Sequence, residues 1–359
     1  MRRGATTFIL TLAGLLLLGG CDERKAAMLE AKALELDERE DRIEERGENL
    51  SEWADELDAK ELQLESLENE IEGRAEAVEE SRADLEKFEE GLEKFEEGLE
   101  KNRLELEERY KGAIRGTVPG IGAKYAIVVD ALTGLTLYEK DADKKVPVAS
   151  TQKLLTALLT IESGKFDGTV EVTPADVRVE PTLIGIKPGS TYEVRELVKS
   201  LLVRSGNDVA QCLARVCEGS LDAFAAKMNE RALSLGMESS NFINPHGLPA
   251  TGQVSTARDM SKLAMAAYRN ETIREFVSIP TSVFKHPDGS TRTLTNTNKV
   301  MRAFDACNGM KTGYTRASGY CLVSSGEKEG LERIVVVLGA FGGTIWSDSE
   351  KLLRWALKG

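Results

Sequence analysis

The sequence predicts an α+β domain preceded by a long charged helix, and three observations support that fold class. Strand-like runs lie near both ends of residues 123–359, helical patterns fill the middle of that segment, and apolar residues recur at every seventh position between residues 29 and 106. Strands at both ends with helices between them are typical of an α+β fold with one sheet and a helical region. At 359 residues, the chain has room for one good-sized domain and an extension.

The first segment, residues 1–20, has the pattern of a lipoprotein signal peptide. Arg2 and Arg3 provide a basic start, and an apolar run of eleven residues extends from Phe8 to Leu18. A run this short suits a cleaved signal better than a membrane span, although an uncleaved anchor is the alternative. The string Leu-Gly-Gly-Cys that ends at Cys21 resembles a bacterial lipobox. We therefore expect the mature chain to begin at an acylated Cys21, exported and anchored to a membrane of the cell envelope on its periplasmic face.

Residues 21–112 are predicted to form an acidic coiled-coil stalk. One heptad position is apolar twelve times in succession: Leu29, Leu36, Ile43, Leu50, Leu57, Leu64, Ile71, Val78, Leu85, Leu92, Leu99 and Leu106. Such a repeat indicates a long helix with a seam. The position three residues further along is mixed and often basic, as at Arg39 and Lys60, so we expect any self-association to be weak and salt-sensitive. A single charged helix or a partly disordered spacer is the competing interpretation.

The net charge of −13 is concentrated in this stalk. Residues 22–112 hold 34 acidic and 15 basic residues, whereas residues 113–359 hold 26 acidic and 30 basic ones. The remaining domain therefore has no strong charge, and it contains no basic run interleaved with aromatic residues that would indicate nucleic-acid binding. The two histidines, His246 and His286, have no metal-ligand spacing, so we expect no metal and no cofactor. His246 lies in an Asn-Pro-His-Gly-Leu turn, which favours a structural role.

A hinge at residues 113–122 is predicted to lead into the folded domain of residues 123–359, because Gly and Pro are frequent there. Strands are predicted at Tyr125–Asp130, Leu135–Tyr138, Met310–Tyr314, Tyr320–Ser324 and Ile334–Gly339. Helices are predicted at Ser150–Ser163, Val194–Val203, Asp208–Glu218, Leu221–Leu235 and Ser347–Leu357.

Four cysteines follow Cys21, namely Cys212, Cys217, Cys307 and Cys321. Export permits disulfides. Cys212 and Cys217 lie five residues apart on one predicted helix and point to different faces, which argues against a bridge between them. Buried free thiols are the simplest interpretation, although the sequence leaves the pairing open.

Ser150 lies at the point where a predicted extended segment ends and a predicted apolar helix begins. Lys153 follows one turn later on the same face, within reach of the Ser150 hydroxyl. A helix start offers free backbone N–H groups and a positive dipole end, which suit a developing oxyanion. A serine becomes a good nucleophile only when a nearby base takes its proton, and a lysine can do so if burial or charge lowers its pKa. The alternative is a Ser N-cap beside a solvated Lys.

Two further short motifs follow in order: Ser205-Gly206-Asn207 and Lys311-Thr312-Gly313. Ser-x-x-Lys, Ser-x-Asn and Lys-Thr-Gly in this order form the signature of penicillin-interactive serine acyltransferases, a class that includes penicillin-binding proteins and class A β-lactamases. Each motif is weak alone, since Ser-x-x-Lys also occurs at Ser282 and Ser325. The ordered trio is far more specific.

Around these motifs, the chain resembles low-molecular-mass penicillin-binding proteins of the D-alanyl-D-alanine carboxypeptidase group. The similar segments are Tyr125–Asp130, Leu201–Asp208, Asn241–Leu248, Ser255–Asp259 and Gly309–Thr315. Two departures are visible: Gln152 stands where the family usually has Thr, and Gln253 stands where it often has His. The resemblance implies the DD-peptidase/β-lactamase fold, an antiparallel sheet with a helical region and the active site between them.

The resemblance also implies a role for each motif residue. Ser150 would be the nucleophile, Lys153 the general base, Ser205 a proton relay to the leaving amine, and Asn207 an orienting group for the substrate amide and Lys153. Lys311 and Thr312 would hold the substrate's terminal carboxylate, and Gly313 and Tyr314 would complete the substrate-binding motif. The backbone N–H groups of Ser150 and Tyr314 would form the oxyanion hole. The expected activity is removal of D-alanine from peptidoglycan stem peptides, with β-lactams as inhibitors.

Three other functions remain open. A D,D-endopeptidase would use the same residues on a crosslinked substrate. A class A β-lactamase would need a Glu-x-x-Leu-Asn string between the second and third motifs, and none of the glutamates there begins one. A non-catalytic envelope scaffold would bind wall peptides without turnover, which the intact trio disfavours.

Overall fold

The computed structural model describes residues 9–11, 23–113 and 116–358, and the chain divides into two compact units at Glu97. Cys21, nearly all of the predicted signal peptide and part of the predicted hinge lie outside the described residues. Within the described ranges, no helix combines the length and the apolar character needed to span a membrane.

The predicted stalk is one continuous helix, α1 (Glu23–Ala113). Ion pairs between residues four apart run along it, such as Lys60–Glu56 at 3.0 Å and Arg74–Glu70 at 2.7 Å. Exposed pairs of this kind each stabilise a helix by about 0.3–0.5 kcal/mol. Ten of the apolar heptad side chains, from Leu36 to Leu99, are exposed; Leu64, for example, is 59% exposed. Helix formation here is therefore supported by local charge pairing along the helix itself.

A five-stranded antiparallel sheet forms the framework of the second unit. Its strands are β1 (Tyr125–Asp130), β2 (Thr136–Lys140), β7 (Cys307–Thr315), β8 (Gly319–Lys328) and β9 (Leu331–Ala340). The spatial order is β2-β1-β9-β8-β7, which joins the two ends of the domain in one sheet and leaves β7 at an edge. The α+β fold predicted from the sequence is confirmed.

Helices surround this sheet. They are α2 (Lys153–Glu162), α3 (Val194–Arg204), α4 (Asn207–Glu218), α5 (Leu221–Ser234), α6 (Ala257–Arg269), α7 (Glu271–Ser278), α8 (Val300–Ala303) and α9 (Thr344–Ala356). Two small hairpins complete the domain: β3 (Thr169–Glu171) with β4 (Thr191–Glu193), and β5 (Thr281–Lys285) with β6 (Thr291–Thr295).

The sheet buries apolar side chains on both faces, since successive residues of a strand point to opposite sides. Ile127 and Val336 belong to the larger core, which contains the buried side chains of α2 to α7. Val128 and Val337 belong to a second core with Leu352 of α9. Both faces being covered fixes the register of β7, the edge strand that carries the Lys-Thr-Gly motif.

The helices α6, α7 and α8 and the hairpin β3–β4 were not among the predicted elements, and two further local features differ from the prediction. The helix expected from Ser150 begins instead with a 3₁₀ turn, Ala149–Gln152, and becomes α-helical at Lys153. The sequence also gave no signal for the hairpin β5–β6, because only Phe284 and Leu294 are buried in its strands and no apolar alternation results.

Candidate active site

Ser150 lies in the 3₁₀ turn that immediately precedes α2. Side chains three residues apart eclipse one another in a 3₁₀ helix. Lys153 is therefore brought directly over Ser150, and its Nζ lies 2.8 Å from the Ser150 Oγ. The predicted contact between Ser150 and Lys153 is thus present.

The Lys153 side chain is fully buried among three oxygen acceptors. Besides Ser150, its Nζ lies 2.7 Å from the Asn207 Oδ1 and 2.7 Å from the His246 carbonyl oxygen. Burial holds the pKa of Lys153 well below its ordinary value, the positive charge of Lys311 lowers it further, and Asp208 opposes both effects. A lysine whose pKa is lowered in this way is more readily neutral, and a neutral lysine can accept a proton from a serine hydroxyl.

The Ser-Gly-Asn motif lies at the junction of α3 and α4. Ser205 ends α3 in the left-handed region, with φ of 72°, which turns the chain towards Lys153. Gly206 is required there, because a Cβ atom would come within 2.5 Å of the Ile184 Cγ1. Asn207 is tied in place by its backbone N–H, which donates to the Thr182 carbonyl at 2.7 Å. Its side-chain oxygen is thereby aimed at Lys153.

The Lys-Thr-Gly motif lies on β7. Lys311 is fully buried, its Nζ donates to the Thr312 carbonyl at 3.0 Å, and burial lowers its pKa to about 7. The Thr312 hydroxyl donates to the Thr297 Oγ1 at 2.6 Å. A Cβ at Gly313 would lie 2.8 Å from the Ser150 backbone nitrogen, so glycine allows β7 to approach the nucleophile.

A cavity of about 350 Å³ joins the three motifs. Its lining includes Ser150, Ser205, Thr312, Gly313, Tyr314, Cys321 and Trp346. Lys153, Asn207 and Lys311 are not part of the lining and act from below the surface, since each is at least 98% buried. The structure thus brings all predicted site residues of the domain together, with Ser150 in the cavity lining and Lys153, Asn207 and Lys311 buried behind it; Cys21 lies outside the described residues.

Sequence reasoning missed the backbone carbonyl of His246. It accepts from both Lys153 and the Ser150 hydroxyl, the latter at 3.2 Å. The neighbouring Gly247 has φ of +86°, and a Cβ there would lie 2.1 Å from the Ala149 carbonyl oxygen. Burial and the charge of Lys153 lower the pKa of the His246 ring to about 3, so the ring is neutral. The Asn-Pro-His-Gly-Leu turn was the sequence signal for this segment. The contact with Lys153 is made by the backbone carbonyl of His246 and not by its side chain.

The two departures from the family pattern meet in the folded protein. The Gln152 Nε2 donates to the Asn244 carbonyl at 2.5 Å and lies 3.4 Å from the Gln253 Oε1. The Gln253 Oε1 also accepts from the backbone N–H groups of Ile243 and Asn244. Together they hold the segment that carries the His246 carbonyl.

The four cysteines of the domain are buried free thiols, as the simplest interpretation expected. Burial raises the pKa of Cys321, which borders the cavity, to about 11. The thiol therefore remains protonated at neutral pH and is a poor nucleophile compared with a base-activated serine.

Comparison with known proteins gives a consistent result. A family model described as D-alanyl-D-alanine carboxypeptidase matches residues 113–342. The chain is 32% identical over 223 residues to the D-alanyl-D-alanine carboxypeptidase DacF of Bacillus subtilis, covering 61% of this chain and 57% of that protein. It is 33% identical over 239 residues to a D-alanyl-D-alanine endopeptidase of Pseudomonas aeruginosa, covering 64% of this chain and 76% of that protein.

Solved structures agree with these sequence matches. The crystal structure of a D-alanyl-D-alanine carboxypeptidase from Mycobacterium tuberculosis superimposes with a TM-score of 0.64 at 31% identity, covering 67% of this chain and 92% of that one. The residues matched by the family model, 113–342, contain the Ser150 site. From the family model, the relatives and the shared fold together, the chain belongs to the D-alanyl-D-alanine carboxypeptidase family of peptidases.

Proposed function

We propose that this protein is a serine-type carboxypeptidase that removes the terminal D-alanine from peptidoglycan stem peptides ending in D-Ala-D-Ala. The observation that carries the proposal is the 2.8 Å contact between the Ser150 hydroxyl and a fully buried lysine whose pKa is strongly lowered. Such a pair is the arrangement that converts a serine into a nucleophile.

In the first half-reaction, Ser150 attacks the carbonyl of the penultimate D-alanine and its proton passes to Lys153. The backbone N–H groups of Ser150 and Tyr314 stabilise the oxyanion that forms. When the tetrahedral intermediate collapses, the peptide bond breaks, and the departing amine receives a proton from Lys153 through Ser205. D-Alanine leaves, and the remaining peptide is bound to Ser150 as an ester.

In the second half-reaction, a water molecule takes the place of the leaving amine. Lys153 accepts a proton from the water as it attacks the ester, and Ser150 regains its proton when the acyl group departs. A β-lactam would follow the first half-reaction only, because its ring-opened product remains attached to Ser150 and hinders the water. We therefore propose β-lactams as covalent inhibitors.

Recognition of the terminal carboxylate is assigned to β7. The Thr312 hydroxyl borders the cavity, and Gly313 gives the substrate backbone access to the strand. Lys311 supplies positive charge from the buried side of the strand without lining the cavity. We expect Thr312 to contact the carboxylate and Lys311 to act on it through the electrostatic field.

The activity is tested by measuring D-alanine release from diacetyl-L-Lys-D-Ala-D-Ala by the wild type and by Ser150→Ala. We expect release by the wild type and a loss of at least about a thousandfold in the variant. A matched control is Ser282→Ala, which removes a serine from another Ser-x-x-Lys string and should retain full activity. D-Alanine release by Ser150→Ala at the wild-type rate would refute the assignment.

An endopeptidase is the second candidate, because the Pseudomonas relative carries that name. Both reactions use the same acyl-enzyme and differ in the amine that leaves. Parallel assays on monomeric and crosslinked muropeptides would distinguish them. A preference for the crosslinked substrate would favour the endopeptidase.

We also propose that Cys21 is acylated and anchors the chain to a membrane of the cell envelope, with α1 joining the anchor to the domain. The proposal rests on the basic start, the short apolar run and the Leu-Gly-Gly-Cys string of the sequence. Metabolic labelling with a palmitate analogue should mark the wild type and leave Cys21→Ala unlabelled. The exposed heptad side chains of α1 further suggest a weak, salt-sensitive self-association, which sedimentation at two salt concentrations would detect.

A further inference from the structure

A second cavity, of about 390 Å³, lies next to the active-site cavity and has no role in the reaction described above. We call it the distal cavity; its lining includes Lys124, Pro147, Tyr314, Arg316, Tyr320 and Phe341. It shares Tyr314 and Tyr320 with the active-site cavity, and the two rings lie 4.4 Å apart between their centroids. A ligand bound at Ser150 can therefore extend past this tyrosine pair into the distal cavity.

The direction of β7 determines which part of the substrate extends there. Thr312 is assigned to the terminal carboxylate, and the Tyr314 N–H is assigned to the carbonyl that Ser150 attacks. Moving along β7 from Thr312 to Tyr314 therefore follows the substrate from its leaving group to its acyl portion. Arg316, one residue beyond the end of β7, then lies beside the residues that precede D-Ala-D-Ala.

The charges and the apolar surface of the residues that line the distal cavity indicate which class of ligand it could bind. Lys124 and Arg316 are exposed cations, and no carboxylate side chain occurs among the described residues that line the cavity. Neither cation has an ion pair among residues 116–358; Lys124 lies 5.5 Å from the Phe341 ring centroid. Tyr314, Tyr320, Phe341 and Pro147 provide apolar surface beside the two charges. An alkyl chain that ends in a carboxylate matches this combination, since the rings cover the chain and the cations pair with its end.

We propose that the distal cavity is a subsite for a carboxylate-bearing side chain in the acyl portion of the peptide, with Arg316 and Lys124 as its specificity-determining residues. The proposal rests on the proposed peptidase function for the direction of the substrate. It adds a substrate preference: an anionic acyl portion is favoured over a neutral one.

The test compares two peptides that differ by one carboxylate, Nα-acetyl-L-Lys-D-Ala-D-Ala with either an acetyl or a succinyl group on the lysine Nε. For the full-length protein, we expect kcat/KM to be about three- to tenfold higher for the succinyl peptide at low salt, as expected for pairing with exposed cations. The ratio should fall towards one as salt screens the charges.

Variants test whether the preference for the succinyl peptide depends on Arg316 and Lys124. Arg316→Gln combined with Lys124→Gln should bring the ratio close to one, and Arg316→Lys should retain most of it. Lys285→Gln, which removes an exposed charge from β5, should leave the ratio at its wild-type value. A wild-type ratio of one, or an unchanged ratio in the double variant, would overturn the proposal.

A second pair of compounds separates this proposal from the proposed peptidase function. Ampicillin acetylated or succinylated on its free amine should acylate Ser150 with the same preference, which requires no D-alanine release. If no peptide were hydrolysed but the succinyl penicillin were preferred by the wild type and not by the double variant, the subsite would stand and the carboxypeptidase function would fail. Equal acylation rates in the wild type would contradict the subsite.

Discussion

At the scale of single residues, two buried lysines determine the chemistry. Burial is the main cause of the lowered pKa of both Lys153 and Lys311, and the charge of Lys311 adds to the effect on Lys153. The charge on Lys311 therefore affects the protonation of Lys153. We propose a double role for Lys311: its positive charge attracts the substrate carboxylate, and it lowers the pKa of Lys153, so that Lys153 is a neutral base at lower pH than it would be without this charge.

Replacing Lys311 with Met should shift the pH dependence of acylation. Without the neighbouring charge, the pKa of Lys153 rises, so the ascending limb of the rate of penicillin acylation should move to higher pH. Lys285→Met, on an exposed strand, is the control and should leave the profile unchanged. A shift of the limb to lower pH would show that Lys311 does not depress the pKa of Lys153.

The same variant should alter the pH dependence of stability. The pKa of Lys311 is about 7 in the folded protein and is ordinarily 10.5, so the unfolded state binds more protons between these values. The free energy of unfolding should therefore rise with pH across this window, and the rise should be smaller in Lys311→Met. Urea unfolding at several pH values measures how the free energy of unfolding depends on pH in the wild type and in Lys311→Met.

The sequence was sufficient to identify the Ser150, Lys153, Ser205, Asn207 and Lys311 cluster, because these are side chains in short motifs. It was insufficient to identify the His246 carbonyl, which contacts Lys153 although the two residues are 93 positions apart in the sequence. Every residue has a carbonyl, so the Asn-Pro-His-Gly-Leu turn drew attention to this segment without indicating which backbone oxygen contacts Lys153. The Gln152–Gln253 contact was hidden for a related reason, since it depends on how two distant segments pack.

At the scale of elements, the site depends on the close approach of β7 to the 3₁₀ turn. Gly313 lies against that turn, where a Cβ would meet the backbone nitrogens of Ser150 and Thr151 at 2.8 and 3.1 Å. The turn itself was predicted as a continuous helix, because its apolar flanks have helical spacing. The turn begins at Ala149, whose φ is +49°, and the sequence does not signal this conformation.

Gly313→Ala should push β7 away from the turn and separate the two N–H groups of the oxyanion hole. We expect penicillin acylation to slow by about a hundredfold, the usual cost of losing one oxyanion donor. Gly120→Ala is the control, because a Cβ there meets nothing within 4 Å. Acylation by Gly313→Ala at the wild-type rate would mean that this close approach is unimportant.

At the scale of the whole molecule, the sequence predicted two units with different roles. Its heptad repeat and charge pattern correctly indicated the long helix α1, and the motif trio indicated the peptidase domain. The sequence does not predict whether α1 associates with a second copy. The position three residues after each apolar heptad residue is apolar in some heptads and basic in others, so the pattern is compatible with a weak coiled coil or with a single helix.

A shortened chain of residues 117–359 tests whether the catalytic activity is independent of the proposed spacer role of α1. We expect it to be monomeric and to hydrolyse small D-Ala-D-Ala peptides at the full-length rate, because the catalytic residues and the cores beneath them lie within it. A full-length protein that lacks several heptads should keep this activity in vitro but process the wall less in cells. Loss of small-peptide activity in the shortened chain would make α1 part of the catalytic unit, and equal wall processing would rule out a spacer role.

The central claim is that Ser150 is acylated with Lys153 as its base. The most direct measurement is mass spectrometry of the intact protein and its peptides after brief exposure to benzylpenicillin. We predict one adduct of the whole penicillin, located on Ser150, absent in Ser150→Ala and slowed by several orders of magnitude in Lys153→Met. An adduct on another residue, or undiminished acylation in Lys153→Met, would contradict the account.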